Sequence, residues 1–294
     1  MADDLIAISS GALTARINPL GAELWSLTDA SGAEYMTNAD PAFWTGHAPV
    51  LFPIVGMVRD GRYRLDGREY AIPKHGVARG ARFRVTSNGS DFAHFQIVDS
   101  AETRAHYPFA FALDLHFWLV GNTLHIAATV CNRGDVSMPF SFGFHPAFAW
   151  PLPGGAAKDA HRLVFECDEL APIRRIDPTS GLLLPDPLAT PVQGRELAPT
   201  VALFEADALI WDQLASRAAS FGAEGGAWLD LAWPDCPMLG VWQKPGADYL
   251  CIEPWAGIAD PVGFHGDFRD KPGVMELAPG AARAFRMDVT VRPA

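Results

Sequence analysis

The chain has 294 residues, of which 49% are hydrophobic and 11% aromatic, enough for one large domain or two ordinary ones. Its formal net charge of −11 argues against a nucleic-acid binder, which needs a basic surface to face phosphates. The charge also disfavours a highly anionic substrate, unless a local basic pocket overrides the overall sign.

The N-terminal segment, the apolar runs and the cysteines of the chain indicate its compartment. The N-terminal MADDLIAISSG has neither the basic nor the long apolar region of a signal peptide. No uncharged apolar run reaches the roughly 18 residues of a membrane-spanning helix. The four cysteines have no CxxC spacing. We therefore expect a soluble cytoplasmic protein, monomeric or homodimeric, with no membrane or nucleic-acid partner.

Alternating apolar residues and turn signals predict β-hairpins along the chain. The first, RYRLDGREYAI, turns at Asp66-Gly67, and the second, FRVTSNGSDFAHFQIV, turns at Asn88-Gly89. A third joins YPFAFALDLHFWLV to TLHIAATV through Gly121-Asn122, and RAFRMDVTVR predicts a C-terminal strand.

Helical periodicity is scarce. PAFWTGHAP and DALIWDQLAS each allow one or two helical turns, while residues 150–158 and 185–199 are predicted to be long loops. No composition shift marks a boundary. The sequence therefore predicts one all-β domain over residues 1–294, built as a large antiparallel β-sandwich with few short helices.

Several enzyme classes lack their motifs. The chain has no βαβ alternation, GxGxxG, phosphate-binding GxxxxGK[ST], HExxH or GxSxG pattern, which argues against nucleotide cofactors and serine-hydrolase chemistry. No histidine pair has HxH or HxxxH spacing, so we expect no metal site. His94, His116 and His125 fall at outward-facing strand positions and are expected at the surface.

Three stretches place titratable residues in apolar or turn-rich contexts. They are PKHGVARG with His75, FGFHPAF with His145, and DYLCIEPWAG with Glu253 beside Trp255. A carboxylate at the end of an apolar strand is desolvated and becomes a stronger base, while tryptophan offers a flat face for a sugar ring. The alternatives are a salt-bridged glutamate at a sheet rim, a core imidazole and a solvated loop histidine. Together, the three groups favour a proton-shuttling site.

The chain resembles the aldose 1-epimerases of the galactose mutarotase superfamily, most closely their bacterial LacX-like branch. The resemblance rests on LFPIVGMVRDGRY, HGVAR, SFGFHPAF, VWQKPGADYLCIEPWAG and LAPGAARAFRMDV, in this order, and spans nearly the whole chain. It implies a supersandwich fold and interconversion of the α and β anomers of a free aldose without a cofactor.

The resemblance also implies residue roles. Glu253 matches the general base that takes the proton of the anomeric hydroxyl, and His145 matches the general acid that protonates the ring oxygen. His75 matches a second histidine that binds substrate and stabilises ring opening. Trp242, Gln243 and Trp255 are expected to line the pocket, and Asp212 lies near the position of a further substrate-contacting group.

One position departs from the family pattern. Related sequences usually have an arginine after FPIVG, where this chain has Met57. Arg59, two positions along and so on the same face of a strand, or Arg79 of HGVAR, is expected to supply the missing cation.

Three other functions stay open. The first is a hexose-6-phosphate mutarotase, which needs a basic cluster that only Arg59, Arg79 and Lys74 offer. The second is a carbohydrate-binding or regulatory module without catalysis, which the departure at Met57 favours. The third is a glycoside hydrolase, which needs two carboxylates facing one bond and has only Glu253 in a suitable context.

Overall fold

The computed structural model describes residues 4–294, and their strands pair antiparallel throughout, as the sequence predicts. In chain order the strands are β1 (Ile6–Ser9), β2 (Leu13–Asn18), β3 (Glu23–Asp29), β4 (Val50–Leu51), β5 (Arg62–Leu65), β6 (Arg68–Ala71), β7 (Arg84–Asn88), β8 (Phe92–Val98), β9 (Phe111–Val120), β10 (Thr123–Asn132), β11 (Met138–Phe140), β12 (Phe142–Phe144), β13 (Ala147–Ala149), β14 (Arg162–Phe165), β15 (Glu196–Leu197), β16 (Leu209–Trp211), β17 (Ala218–Gly222), β18 (Trp228–Ala232), β19 (Met238–Trp242), β20 (Tyr249–Ala256), β21 (Met275–Leu277) and β22 (Ala282–Arg292).

Helices are few and short. The α-helix α1 (Ala101–His106) begins with a capping box, in which Ser100 and Thr103 exchange side-chain and backbone hydrogen bonds. Single 3₁₀ turns are formed by Arg59–Gly61, Ala78–Gly80, Lys158–Ala160, Val201–Phe204 and Phe268–Asp270. Among residues 4–294, no helix has the length and apolarity to cross a membrane.

A nine-stranded sheet carries most of the predicted hairpins. Its order is β15-β14-β17-β18-β22-β10-β9-β8-β7, so the C-terminal strand β22 lies in its interior, between β18 and β10. The three hairpins predicted from turn signals are all present, as β5–β6, β7–β8 and β9–β10. On the outer face of this sheet, His94 stacks on His116 with ring centroids 3.7 Å apart, so these two rings are half-buried.

A second sheet contains the strand that positions the candidate site. Its order is β16-β19-β20-β12-β4, and β13 also pairs with β20. Every residue of β20 is buried because other strands flank it on both edges and the large sheet packs against it. This is the strand that contains Glu253.

The two sheets enclose the main hydrophobic core. Phe142 of β12 stacks on Phe285 of β22, with ring centroids 4.7 Å apart, and both side chains are fully buried. Because alternate residues of a strand point to opposite faces, the inward side chains of β22 pack here while its charged residues face outward.

The structure corrects one local prediction. Residues 209–211, within the segment expected to form a helical turn, make strand β16, which pairs with β19. All three side chains are buried, and Asp207 just before them has a φ of 65°, which helical turns do not allow. The segment 41–49 contains turns and no helix.

Truncating the contact between the sheets should destabilise the fold strongly. Phe285→Ala removes a fully buried ring and leaves a cavity, which we expect to lower the free energy of unfolding by about 3–5 kcal/mol. Denaturant unfolding measures this change. Val120→Ala, at a side chain that is 62% exposed, is the matched control and should change stability by no more than about 0.5 kcal/mol. Equal effects of the two would contradict this packing.

Candidate active site

A pocket of about 210 Å³ opens beside β20 and brings together three residues that are distant in sequence. His75, His145 and Glu253 all line it, together with Trp242 and Trp255. The three titratable side chains are almost completely buried, so the pocket wall replaces water as their surroundings. This convergence was expected from the resemblance, and chain spacing alone did not provide it.

Glu253 and His145 form a close pair at the base of the pocket. Nε2 of His145 lies 3.2 Å from Oε2 of Glu253. The pair is held by the backbone, because Ala147 is paired in register with Cys251 and the N–H of Ile252 donates to the carbonyl of Pro146. Two antiparallel segments therefore fix the separation of the carboxyl and imidazole groups.

Burial moves the two pKa values of this pair in opposite directions. Loss of hydration raises the pKa of Glu253 well above 4.5, although the positive charge of Lys74 opposes the shift. Burial, together with the positive charges of Arg79 and Lys74, likewise lowers the pKa of His145 to about 3. Burial therefore favours a carboxylic acid beside a neutral imidazole, rather than an ion pair.

A strained backbone holds His75. Its φ is 68°, in the left-handed region that a residue with a side chain rarely adopts. Two hydrogen bonds stabilise this conformation: the N–H of His75 donates to the carbonyl of Gly56 (2.9 Å), and the N–H of Gly56 donates to Nδ1 of His75 (3.1 Å). Burial, followed by the charge of His145, lowers the pKa of His75 well below 6.5. The ring is therefore neutral, with its hydrogen on Nε2.

Glycines on the neighbouring strands make room for Trp255. A Cβ atom at Gly240 of β19 would lie 2.5 Å from the Trp255 ring, and one at Gly143 of β12 would lie 2.7 Å from it. Real side chains do not approach so closely, so a larger residue at either position would displace the indole. The two glycines thus set the position of this wall of the pocket.

Within the part of the chain that the structure describes, the cations that line the pocket come from one loop. Lys74 and Arg79, which flank His75 and Gly76, both line it. Arg59 does not: its Nε donates to the carbonyl of Phe264 (3.2 Å) and its Nη2 to the carbonyl of Val262. The expectation that Arg59 could replace the missing arginine is therefore wrong, because backbone carbonyls outside the pocket hold its guanidinium group.

Two other residues expected at the pocket also lie elsewhere. The Asp212 carboxylate is 2.9 Å from Nη1 of Arg174 and takes no part in the lining. The fully buried Gln243 donates from Nε2 to the carbonyl of Ala247 (2.7 Å), which turns it into the protein interior. The Asp212 match was loose, while Gln243 belongs to the VWQKPG motif, and in each case a local hydrogen bond holds the side chain away from the pocket lining.

Met57 supports a turn that borders the pocket. A Cβ atom at Gly181 would come 2.8 Å from Cγ of Met57, so only glycine allows the turn to lie this close. Gly181 itself lines the pocket, and its N–H donates to the carbonyl of Asp177 (2.7 Å). An apolar contact therefore fills the position where related sequences place an arginine.

The sequence did not single out three residues at this site. Trp44 packs on His145 with ring centroids 5.0 Å apart, and Asp207 adds a second carboxylate to the lining. Cys251 lies beside the pair: one ligand atom each of His145, Cys251 and Glu253 lie within 4.8 Å of one another. Burial and then Glu253 raise the pKa of the thiol well above 9, which keeps it protonated and a poor metal ligand.

The buried carboxyl group should make stability depend on pH. Because the folded-state pKa of Glu253 is raised, its contribution to stability is present below pH 4.5 and is lost as the pH rises towards the folded value. Glu253→Gln replaces the carboxyl group by an amide that does not ionise, so the variant does not lose stability in this way as the pH rises. The variant should therefore melt at a higher temperature than the wild type above pH 4.5, and the difference should grow with pH by at most about 1.4 kcal/mol per pH unit. Thermal melts between pH 5 and 8 measure it. A variant that is less stable at every pH would indicate a structural ion pair.

Comparisons with known proteins show the family of the chain. Residues 4–266 match the family model described as aldose 1-epimerase. The chromosomal and plasmid LacX proteins of Lactococcus lactis subsp. lactis are each 30% identical over 295 residues, which cover 97% of this chain and 99% of the relative.

Solved structures are similar as well. A galactose mutarotase related enzyme from Lactobacillus acidophilus has a TM-score of 0.89 and 30% identity, covering 98% of this chain and 97% of its own. A galactose mutarotase-like protein from Lactobacillus casei ATCC 334 has a TM-score of 0.90 and 30% identity, covering 98% and 100%. With this fold, this pocket and a family match over most of its length, the chain belongs to the aldose 1-epimerase family.

Proposed function

We propose that the protein is a mutarotase, an isomerase that interconverts the α and β anomers of an aldose by opening and reclosing the sugar ring. The observation that carries the proposal is the 3.2 Å approach of His145 to Glu253 in a pocket walled by tryptophan. In a cyclic aldose the anomeric hydroxyl and the ring oxygen are bonded to the same carbon. A base and an acid that act on both must therefore lie side by side, as these two groups do.

The pair accounts for both proton transfers. With substrate bound, ionised Glu253 takes the proton of the anomeric hydroxyl while protonated His145 gives one to the ring oxygen, and the bond between C1 and that oxygen breaks. The pair is then a carboxylic acid beside a neutral imidazole, which is the form that burial favours. After rotation about C1–C2, the transfers run backwards onto the other face of the aldehyde. The pair keeps one shared proton throughout, so no cofactor is needed to supply or remove it.

His75 is proposed to bind the sugar and to stabilise the ring-opening transition state. Because its Nδ1 accepts from Gly56, its Nε2–H is the group available as a hydrogen-bond donor. A neutral, preorganised donor stabilises charge that develops on a sugar oxygen without adding a second positive charge beside His145. Trp255 and Trp242 are proposed to pack against the apolar faces of the ring.

Removing either proton-transfer group should abolish most of the turnover. Glu253→Gln keeps the size of its side chain and His145→Asn leaves a smaller polar one, and neither new group can exchange the proton, so we expect each to lower kcat by at least about 100-fold. His75→Asn should both lower kcat and raise KM. Polarimetry, or exchange NMR of the anomeric proton, on fresh α-D-glucose and α-D-galactose measures these changes.

The control and the alternative outcomes separate the competing functions. Glu224→Gln, at an exposed glutamate outside the pocket, should leave turnover unchanged. If Glu253→Gln turned over at the wild-type rate, the assignment of Glu253 as the general base would be wrong. Sugar binding without any acceleration would favour a carbohydrate-binding module. Cleavage of a glycoside would instead indicate a hydrolase, for which Asp207 offers the second carboxylate.

The shared proton also predicts the pH profile. A second proton reaches the pair only at the low pKa of His145, about 3, and the last proton leaves only at the raised pKa of Glu253. Between these values kcat/KM should be level. A histidine that titrated at its ordinary pKa near 6.5 beside an ionised Glu253 would instead raise kcat/KM by about fourfold between pH 7 and pH 5, because more of it would hold the proton that the ring oxygen needs. Measuring kcat/KM over that interval decides between a shared proton and an independently titrating histidine.

A further inference from the structure

We infer that the aldose carries an anionic group, a phosphate ester or a carboxylate at the end of the sugar away from C1, and that Lys74 and Arg79 bind it. The inference rests on the proposed function, since it assigns the substrate class of the same pocket. It also runs against the overall charge of −11, which by itself disfavours an anionic substrate.

The first support is an arginine without a partner. Arg79 is half-buried and lines the pocket, yet it makes no ion pair and no side-chain hydrogen bond with any residue in the range 4–294. Other half-buried or buried cations over the same range, such as Arg174 and Lys271, pair with carboxylates or donate to carbonyls. A guanidinium group that has lost part of its hydration without such compensation is costly, unless a ligand completes its bonding.

Nearby carboxylates do not take up this charge. Glu23, which is close enough to interact electrostatically with Arg79, accepts the backbone N–H groups of His47 (2.6 Å) and Ala48 (2.9 Å) instead. Lys74 likewise has no ion pair among the described residues. Both side chains are therefore available to a molecule that enters the pocket.

The depths of the charged groups give the direction of binding. Glu253 and His145 are only 2% and 7% exposed and lie at the base, while Lys74 is exposed and Arg79 half-buried. The cations are therefore nearer to solvent than the proton-transfer pair. A sugar with C1 at the base would direct its opposite end towards them.

The charges of the lining favour an anion there. With the proton-transfer pair neutral overall, the pocket contains the cations Lys74 and Arg79 and the single carboxylate Asp207. Oδ1 of Asp207 accepts the N–H of Ala208 (2.7 Å), and the two cations outnumber this one carboxylate. The planar guanidinium group binds two oxygens of a phosphate or carboxylate at once, and the ammonium group adds a second, less directional contact.

The test compares matched sugars in both binding and turnover. D-glucose, D-glucose 6-phosphate and D-glucuronate, with the corresponding galactose series, are titrated calorimetrically and assayed for anomer exchange. We expect the Kd of at least one anionic sugar to be at least about tenfold lower than that of its neutral parent. The Kd ratio, defined as the Kd of the neutral sugar divided by that of the anionic sugar, should fall as the salt concentration is raised, because ions screen the attraction.

Charge-removing variants connect this preference to the two side chains. Lys74→Met and Arg79→Met keep much of the length of each side chain, and each should reduce the Kd ratio by at least about threefold, with the double variant bringing it close to one. Arg195→Met removes one charge from an exposed residue outside the pocket and should leave the ratio unchanged. A preference that survives in the double variant would overturn the assignment.

The outcomes distinguish the source of the anion and separate this inference from the proposed function. Tighter binding of the 6-phosphates alone identifies a phosphate ester, and of the uronates alone a carboxylate. Equal Kd and kcat/KM for neutral and anionic sugars, with anomer exchange accelerated, would overturn the inference and leave the mutarotase proposal standing. Preferential binding of an anionic sugar without acceleration would support the inference and contradict the mutarotase proposal.

Discussion

The site depends on the burial of one carboxyl group and one imidazole ring within 3.2 Å of each other on adjacent antiparallel segments. Burial costs both groups their hydration, which makes the neutral forms more stable than the charged ones and keeps a single proton between them. The register of β13 against β20 fixes their separation, and the packing of the two sheets keeps water away. The chemistry proposed for the protein follows from this constraint, since neighbouring acid and base groups can give one proton to a sugar ring and take one from it in the same step.

The remainder of the pocket is arranged around that pair by close backbone contacts. His75 keeps its left-handed backbone because Gly56 both donates to it and accepts from it, and the same contact fixes its tautomer. Trp255 fits because Gly143 of β12 and Gly240 of β19 leave space for its indole ring. These contacts involve main-chain atoms, so they position the side chains more rigidly than flexible surface contacts would.

The local charge of the pocket differs from that of the whole chain. The cations that line it come from the loop that also contains His75, while Arg59 is bound to carbonyls elsewhere and Met57 packs against Gly181. At Met57, where the sequence departs from the family pattern, the side chain makes an apolar contact that supports the turn. The positive charge that remains lies nearer to solvent, where a second functional group of the substrate is expected.

The amino-acid sequence by itself determined the all-β class, three hairpins and the buried strand of Glu253, because period-two alternation and turn residues act locally. It did not determine strand β16, since three apolar residues in a row are equally compatible with a helical turn. Only their pairing with β19 makes them a strand. Tertiary structure alone decided that Lys74, Trp44 and Asp207 line the pocket and that Arg59, Asp212 and Gln243 do not. The reason is physical. The position of a polar side chain depends on its hydrogen-bond partners, and those partners come from segments that only the folded chain brings together.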